Sequence, residues 1–153
     1  MTTTMRRAAD RQAHARASRS QVSLQRAEVM DLAIAYHGAM RALSTGTATD
    51  DDVEMLALAC NVALLLCEAG LGADCIEHVR LAQDAVVRIK DRAARCGPRY
   101  VHTALEMQRL NALLELHDAQ LEHPECTEGL MVRVLDEIKK RIAAGDVLEV
   151  VPA

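Results

Sequence analysis

Apolar residues recur along this chain at alternating steps of three and four, in five stretches separated by turn signals. That period belongs to an α-helix with one side against a core. In the first stretch Val29, Leu32, Tyr36, Ala39 and Leu43 form one stripe, and Gly46 closes it. Thr49 is a good N-cap for the second, and Asp50, Asp51 and Asp52 fill its first turn, where negative charge meets the positive end of the helix dipole. This explains the acidic run without calcium, whose loop would spread ligands over about twelve residues around a central glycine. The second helix continues through Val53, Leu56, Cys60, Ala63 and Cys67, while Met55, Leu58, Ala59, Val62, Leu65 and Leu66 cover its other sides. A helix apolar all round belongs at the centre.

Gly70 and Gly72 break that helix, and Cys75, Val79, Ala82, Val86, Ile89 and Ala93 make the third stripe, ended by Gly97 and Pro98. Thr103 with Glu106 is a capping box opening the fourth helix, with the stripe Met107, Leu110, Leu114, His117 and Leu121 before Pro124. The fifth starts near Thr127, carries Met131, Leu135, Ile138 and Ile142, and ends at Gly145. Residues 147–151 alternate as an extended tail. The prediction is all-α: an antiparallel up-and-down bundle of four to five helices over residues 28–145. A basic N-terminal arm (1–27) precedes it and a short extended tail (146–153) follows.

Composition agrees with this. The chain has 153 residues, half of them apolar, but no Phe, no Trp and only Tyr36 and Tyr100, so aliphatic side chains, Met and Cys must fill the core. The most apolar stretch, residues 55–67, is shorter than the ~20 residues a bilayer requires, so no membrane span is expected. Five cysteines (Cys60, Cys67, Cys75, Cys96, Cys126), odd in number and without a CxxC pair, argue against a disulfide framework. Together with the lack of an apolar signal segment, they point to the cytoplasm.

Charge divides the chain. Residues 1–27 hold Arg6, Arg7, Arg11, Arg16, Arg19 and Arg26 against Asp10 alone, whereas the remainder holds twelve basic and twenty-one acidic residues. Such an arm is either solvated or laid on the acidic body, or it touches phosphates, for which Arg6, Arg7, Arg11, Arg16 and Arg19 are the candidates. An organellar presequence would share this composition.

Two polar residues interrupt the apolar pattern, Asn61 in the second helix and His117 in the fourth, and each needs a hydrogen-bond partner. A buried bridge between them is the expectation. Pole alternation in an up-and-down bundle gathers Cys67, Cys75, His78, His123 and Cys126 at one end. It sends Cys96 and His102 to the other, some ~25 to 30 Å away at the rise of an α-helix. The gathered five are the right ligand types for zinc, but none has the tight spacing of a dedicated site. No metal, cofactor or catalytic constellation is therefore expected. A helix-turn-helix at residues 68–79 is opposed by Asp74 and Glu77, which would face phosphates.

The runs Gly46-Thr47-Ala48-Thr49-Asp50-Asp51-Asp52, Ala59-Cys60-Asn61-Val62-Ala63 with Gly70, and Leu116-His117-Asp118-Ala119-Gln120-Leu121-Glu122 resemble small helical proteins encoded on plasmids and integrated elements of β-proteobacteria, a group without an established activity. Over about residues 28–145 the resemblance implies a cytoplasmic accessory protein and carries across no functional residues. Sequence alone thus points to a non-enzymatic interaction or adaptor protein, self-associating as a homodimer through an apolar helix face such as Ile76, Val87, Leu113 or Val134. The alternative is a DNA-associated regulator working through the Arg-rich arm.

Overall fold

A computed structural model of the protein describes residues 26–97 and 99–145. The arm, its five candidate arginines and the C-terminal tail therefore lie outside the described residues, apart from the start of the first helix. Five α-helices follow one another: α1 (Arg26–Thr45), α2 (Asp50–Glu68), α3 (Ile76–Cys96), α4 (Ala104–Glu122) and α5 (Glu128–Ala144). One 3-10 turn, Ala73–Cys75, leads into α3, and no strand occurs among the described residues. None of these helices is long and apolar enough to cross a membrane.

The starts are set locally. Thr49, Thr103 and Thr127 stand in extended conformation, and each side chain accepts the backbone N–H three residues on. At α2 and α4 the box is reciprocal, because Asp52 and Glu106 reach back to the cap's own N–H. The second acidic residue of this kind, Asp52, gives the Asp50–Asp52 run a second role beyond the dipole. Gly145 closes α5 with a left-handed φ of 77°.

α2 touches all four other helices, and α1 and α3 also pack on α4. Every residue of α2 at positions 59–67 is buried, and the expected stripe Val53, Leu56, Cys60, Ala63 and Cys67 is buried throughout. The expected poles hold for α2, α3 and α4. Tyr100, just before α4, donates to Asp50 at the start of α2 (2.6 Å), while Gln120 near the end of α4 reaches the Leu71 carbonyl beyond the end of α2 (2.8 Å).

Alternation stops at α5. Arg141 in its last turn makes a two-pronged ion pair with Glu68, the last residue of α2, at 2.7 and 3.0 Å. The two helices thus end side by side, where strict alternation would separate their ends by roughly 25 Å. The buried face of α5 is Met131, Val134 and Ile138, so Val134 takes the core place expected of Leu135, which is 39% exposed. On α1 only the second half is buried, from Tyr36 onward through Ala39, Met40 and Leu43. The expected stripe member Leu32 is 41% exposed.

Candidate functional site

The first half of α1 and one side of α5 flank an apolar cleft of about 410 Å³ whose floor is Met55, Leu58, Ala59 and Val62 of α2. Leu32 and Tyr36 form one wall, Met131 and Leu135 the other, and His117 of α4 closes the inner end. Glu28 and Asp31 give the mouth its acidic edge. Val132 of α5 (53% exposed) leaves further apolar surface in water, as do Met30 (53%) and Ile34 (67%) on the side of α1 turned away from Leu32.

The cleft's inner end is held by a polar cluster of α1 and α4. The Tyr36 hydroxyl donates to Asp118 Oδ1, and His37 Nε2 donates to the other oxygen of the same carboxylate at 3.0 Å. Burial first, then the bond to Asp118, pushes the Tyr36 hydroxyl well above its ordinary range, so it remains a donor. Its ring meets those of His37 and His117 at tilted angles, with centroids 4.9 and 5.2 Å apart. His117 is buried, and its pKa falls to about 4: burial lowers it against the raising effect of its bond to Gln120, so the ring is neutral at physiological pH.

The expected bridge between Asn61 and His117 is replaced by two others. Asn61 Oδ1 accepts from Gln83 Nε2 of α3 at 3.0 Å, and His117 Nδ1 donates to Gln120 Oε1 at 3.4 Å. The cause is direction: Asn61 looks toward α3, whereas His117 looks toward the cleft and α1. Gln120, buried and not foreseen, is the organising residue of this pole. Its amide nitrogen reaches the Ala63 and Leu71 carbonyls at 3.1 and 2.8 Å and the Cys67 thiol at 3.2 Å. It stands three residues after His117, a helical neighbour whose spacing could have revealed it.

The five candidate metal-binding residues do not form a ligand set. Cys67 and Cys126 are buried, with thiols raised by burial, and Cys67 is engaged by Gln120. Cys75 is raised too, by burial and by Asp74, whose carboxylate lies 3.8 Å from its sulfur. His78 is exposed, and His123 Nδ1 accepts the Glu125 N–H. Among the described residues no group of three or more His, Cys, Asp or Glu is arranged to hold a metal ion. Thiols raised in this way are poor nucleophiles and poor ligands.

At the other end of α4 an ionised pair does the work of Gln120. Glu106 is buried and receives both guanidinium nitrogens of Arg92 at 2.7 and 3.1 Å, together with the Thr103 N–H at 2.7 Å. Burial raises its pKa, but these donors outweigh it and the net shift is downward. Arg92 also donates to the Val101 carbonyl. In comparisons with known proteins, no family model, no curated protein and no solved structure matches the chain.

Proposed function

We propose that the protein is a non-enzymatic interaction module, an up-and-down arrangement of α1 to α4 with α5 packed on it, which associates with a second copy of itself through the α1–α5 cleft. The observation carrying this reading is an apolar cleft open to water between two helices. A cleft floored by Met55, Leu58 and Val62 lies open between Leu32 of α1 (41% exposed) and Leu135 of α5 (39% exposed). A two-fold interface uses the same patch on both copies, and Leu32 of α1 and Leu135 of α5, both part-exposed, give this one apolar side chains on both walls. Burying such residues is worth about 1.5 to 3 kcal/mol for each large side chain, enough for a dimer from a handful of contacts.

This reading places the protein in the bacterial cytoplasm as an accessory protein of a mobile element. The reduced-cysteine composition and the resemblance described above support that placement. Sedimentation of the full chain at low and high salt tests the reading. A dimer is expected at micromolar concentration and with little salt dependence, and Leu32→Glu or Leu135→Glu should give a folded monomer. A wild-type chain monomeric at millimolar concentration rejects it. The charge asymmetry favours a second reading, phosphate contacts on DNA through Arg6, Arg7, Arg11, Arg16 and Arg19. Its affinity would fall steeply with salt and disappear on deletion of residues 1–25.

A further inference from the structure

Residues 28–153 are acidic overall, yet six of their twelve basic residues fall between positions 88 and 109: Arg88, Lys90, Arg92, Arg95, Arg99 and Arg109. Four of these converge. Arg88, Arg92 and Arg95, one turn apart on α3, and Arg109 of α4 line a polar cleft of about 330 Å³ with Thr103, Leu105 and Glu106. The cleft has its own charge balance. Arg92 and Glu106 cancel in a two-pronged pair. Arg88 and Arg109 share a single carboxylate oxygen, Asp84 Oδ2, at 3.0 and 3.4 Å. Arg95 is exposed and has no partner among the described residues. Three guanidinium groups against one carboxylate leave an excess of two positive charges.

Several features suit this place to a ligand rather than to solvent. Arg92 is fixed by Glu106 and the Val101 carbonyl, so one wall is rigid before anything binds. The first turn of α4 lies beside it through Thr103, Leu105 and Glu106, and a helix N-terminus adds positive potential. Guanidinium groups also match the oxygens of a phosphate in pairs. The excess of two charges equals that of a dianion. A long polyanion would also have to approach the acidic surroundings, twenty-one acids against twelve bases in the body as a whole.

We propose that the α3–α4 cleft binds a compact phosphate dianion, either inorganic phosphate or the terminal group of a phosphomonoester, through Arg88, Arg95 and Arg109 beside the fixed guanidinium of Arg92. This site is separate from the α1–α5 cleft, and neither depends on the other.

Amide NMR of the full chain tests it, titrated with inorganic phosphate, phenyl phosphate or a short DNA duplex against chloride at matched ionic strength. Saturable shifts confined to about residues 88–109 are expected with both small phosphates. Arg88→Ser with Arg95→Ser should weaken binding at least tenfold while leaving self-association unchanged, since the anion loses charge-assisted hydrogen bonds from two guanidinium groups. Arg95→Gln alone, at a position without a partner, should weaken it severalfold and keeps the test open if the double variant loses its fold. Absent or non-saturating shifts, or variants that bind phosphate as the wild type does, overturn the proposal. So does DNA binding lost in the variants while both small phosphates remain silent, which would make the cleft a polyanion surface.

Discussion

The two ends of α4 bury polar side chains in opposite ways. At its start Glu106 is buried as an ion, with its charge met by Arg92 and the Thr103 N–H. At its end His117 and Gln120 are buried as neutral groups, and their partners are a carboxamide, two carbonyls and a thiol. The difference follows from water. Arg92 lies on the rim with 29% of its side chain exposed, so the ion pair keeps one solvated partner, whereas His117 is buried with Gln120 as its hydrogen-bond partner and no ion pair, and burial keeps it uncharged. One end is therefore sensitive to loss of a partner, and the other to protonation.

The strongest way to break that comparison is Arg92→Ala. It strands a carboxylate inside the protein, and loss of one member of a buried pair costs about 3 to 5 kcal/mol. Urea unfolding at neutral pH should register a loss at or just below that range, since Arg92 is partly solvated. A loss under 1 kcal/mol would mean that Thr103 and water already suffice for Glu106.

Acid separates the two ends next. In the unfolded chain His117 takes up a proton near 6.5, but in the folded protein only near 4, so between those values the unfolded state binds more protons and acidification favours it. The stability present above pH 6.5 should decline by about 3 kcal/mol on approaching pH 4. Glu106 behaves differently, because its lowered pKa preserves its contribution until the pH falls below the ordinary carboxylate range. In His117→Gln the loss between pH 6.5 and 4 should shrink while the loss at lower pH remains. An unchanged slope would assign the acid sensitivity elsewhere.

Features set by neighbours in sequence were legible, and those set by neighbours in space were not. The caps at Thr49, Thr103 and Thr127 depend on four residues each, and the central place of α2 follows from apolar residues on all its sides. On α5 the step pattern 131, 135, 138 is as good a helical stripe as 131, 134, 138. Only packing against α2, with Arg141 drawn to Glu68, selects Val134 over Leu135. Nothing in the sequence marks the first half of α1 as uncovered, since Val29 and Leu32 continue the stripe that Tyr36 and Leu43 bury. Asn61 and His117 were recognisable as buried polar residues, but which partner each meets depends on the rotation of its helix. The α3 arginines are one turn apart in sequence, yet the cleft exists only because the loop returns Arg109 and Thr103 to face them.

The neutral end gives the smallest effect and the finest distinction. In Gln120→Leu the side chain keeps its bulk, but the Leu71 carbonyl, the Cys67 thiol and His117 Nδ1 lose their partner together. The thiol bonds weakly and the Nδ1 contact is long at 3.4 Å, so the Leu71 carbonyl dominates, and since a buried group left unpaired costs about 1 to 3 kcal/mol a loss near 2 kcal/mol is expected, less than for Arg92→Ala. Gly72 marks where the loss would act. It has a left-handed φ of 83°, and Leu116 Cδ1, Cys67 Sγ and Gln120 Nε2 stand around the place a side chain would take, so the turn rests directly on side chains of α2 and α4. Loss of the amide should let residues 69–75 shift. Faster amide exchange in that loop, with α4 unaffected near Glu106, would show that shift. Equal loosening at both ends of α4 would mean that the helix responds as a single body, and the contrast between its charged and neutral ends would then have no thermodynamic content.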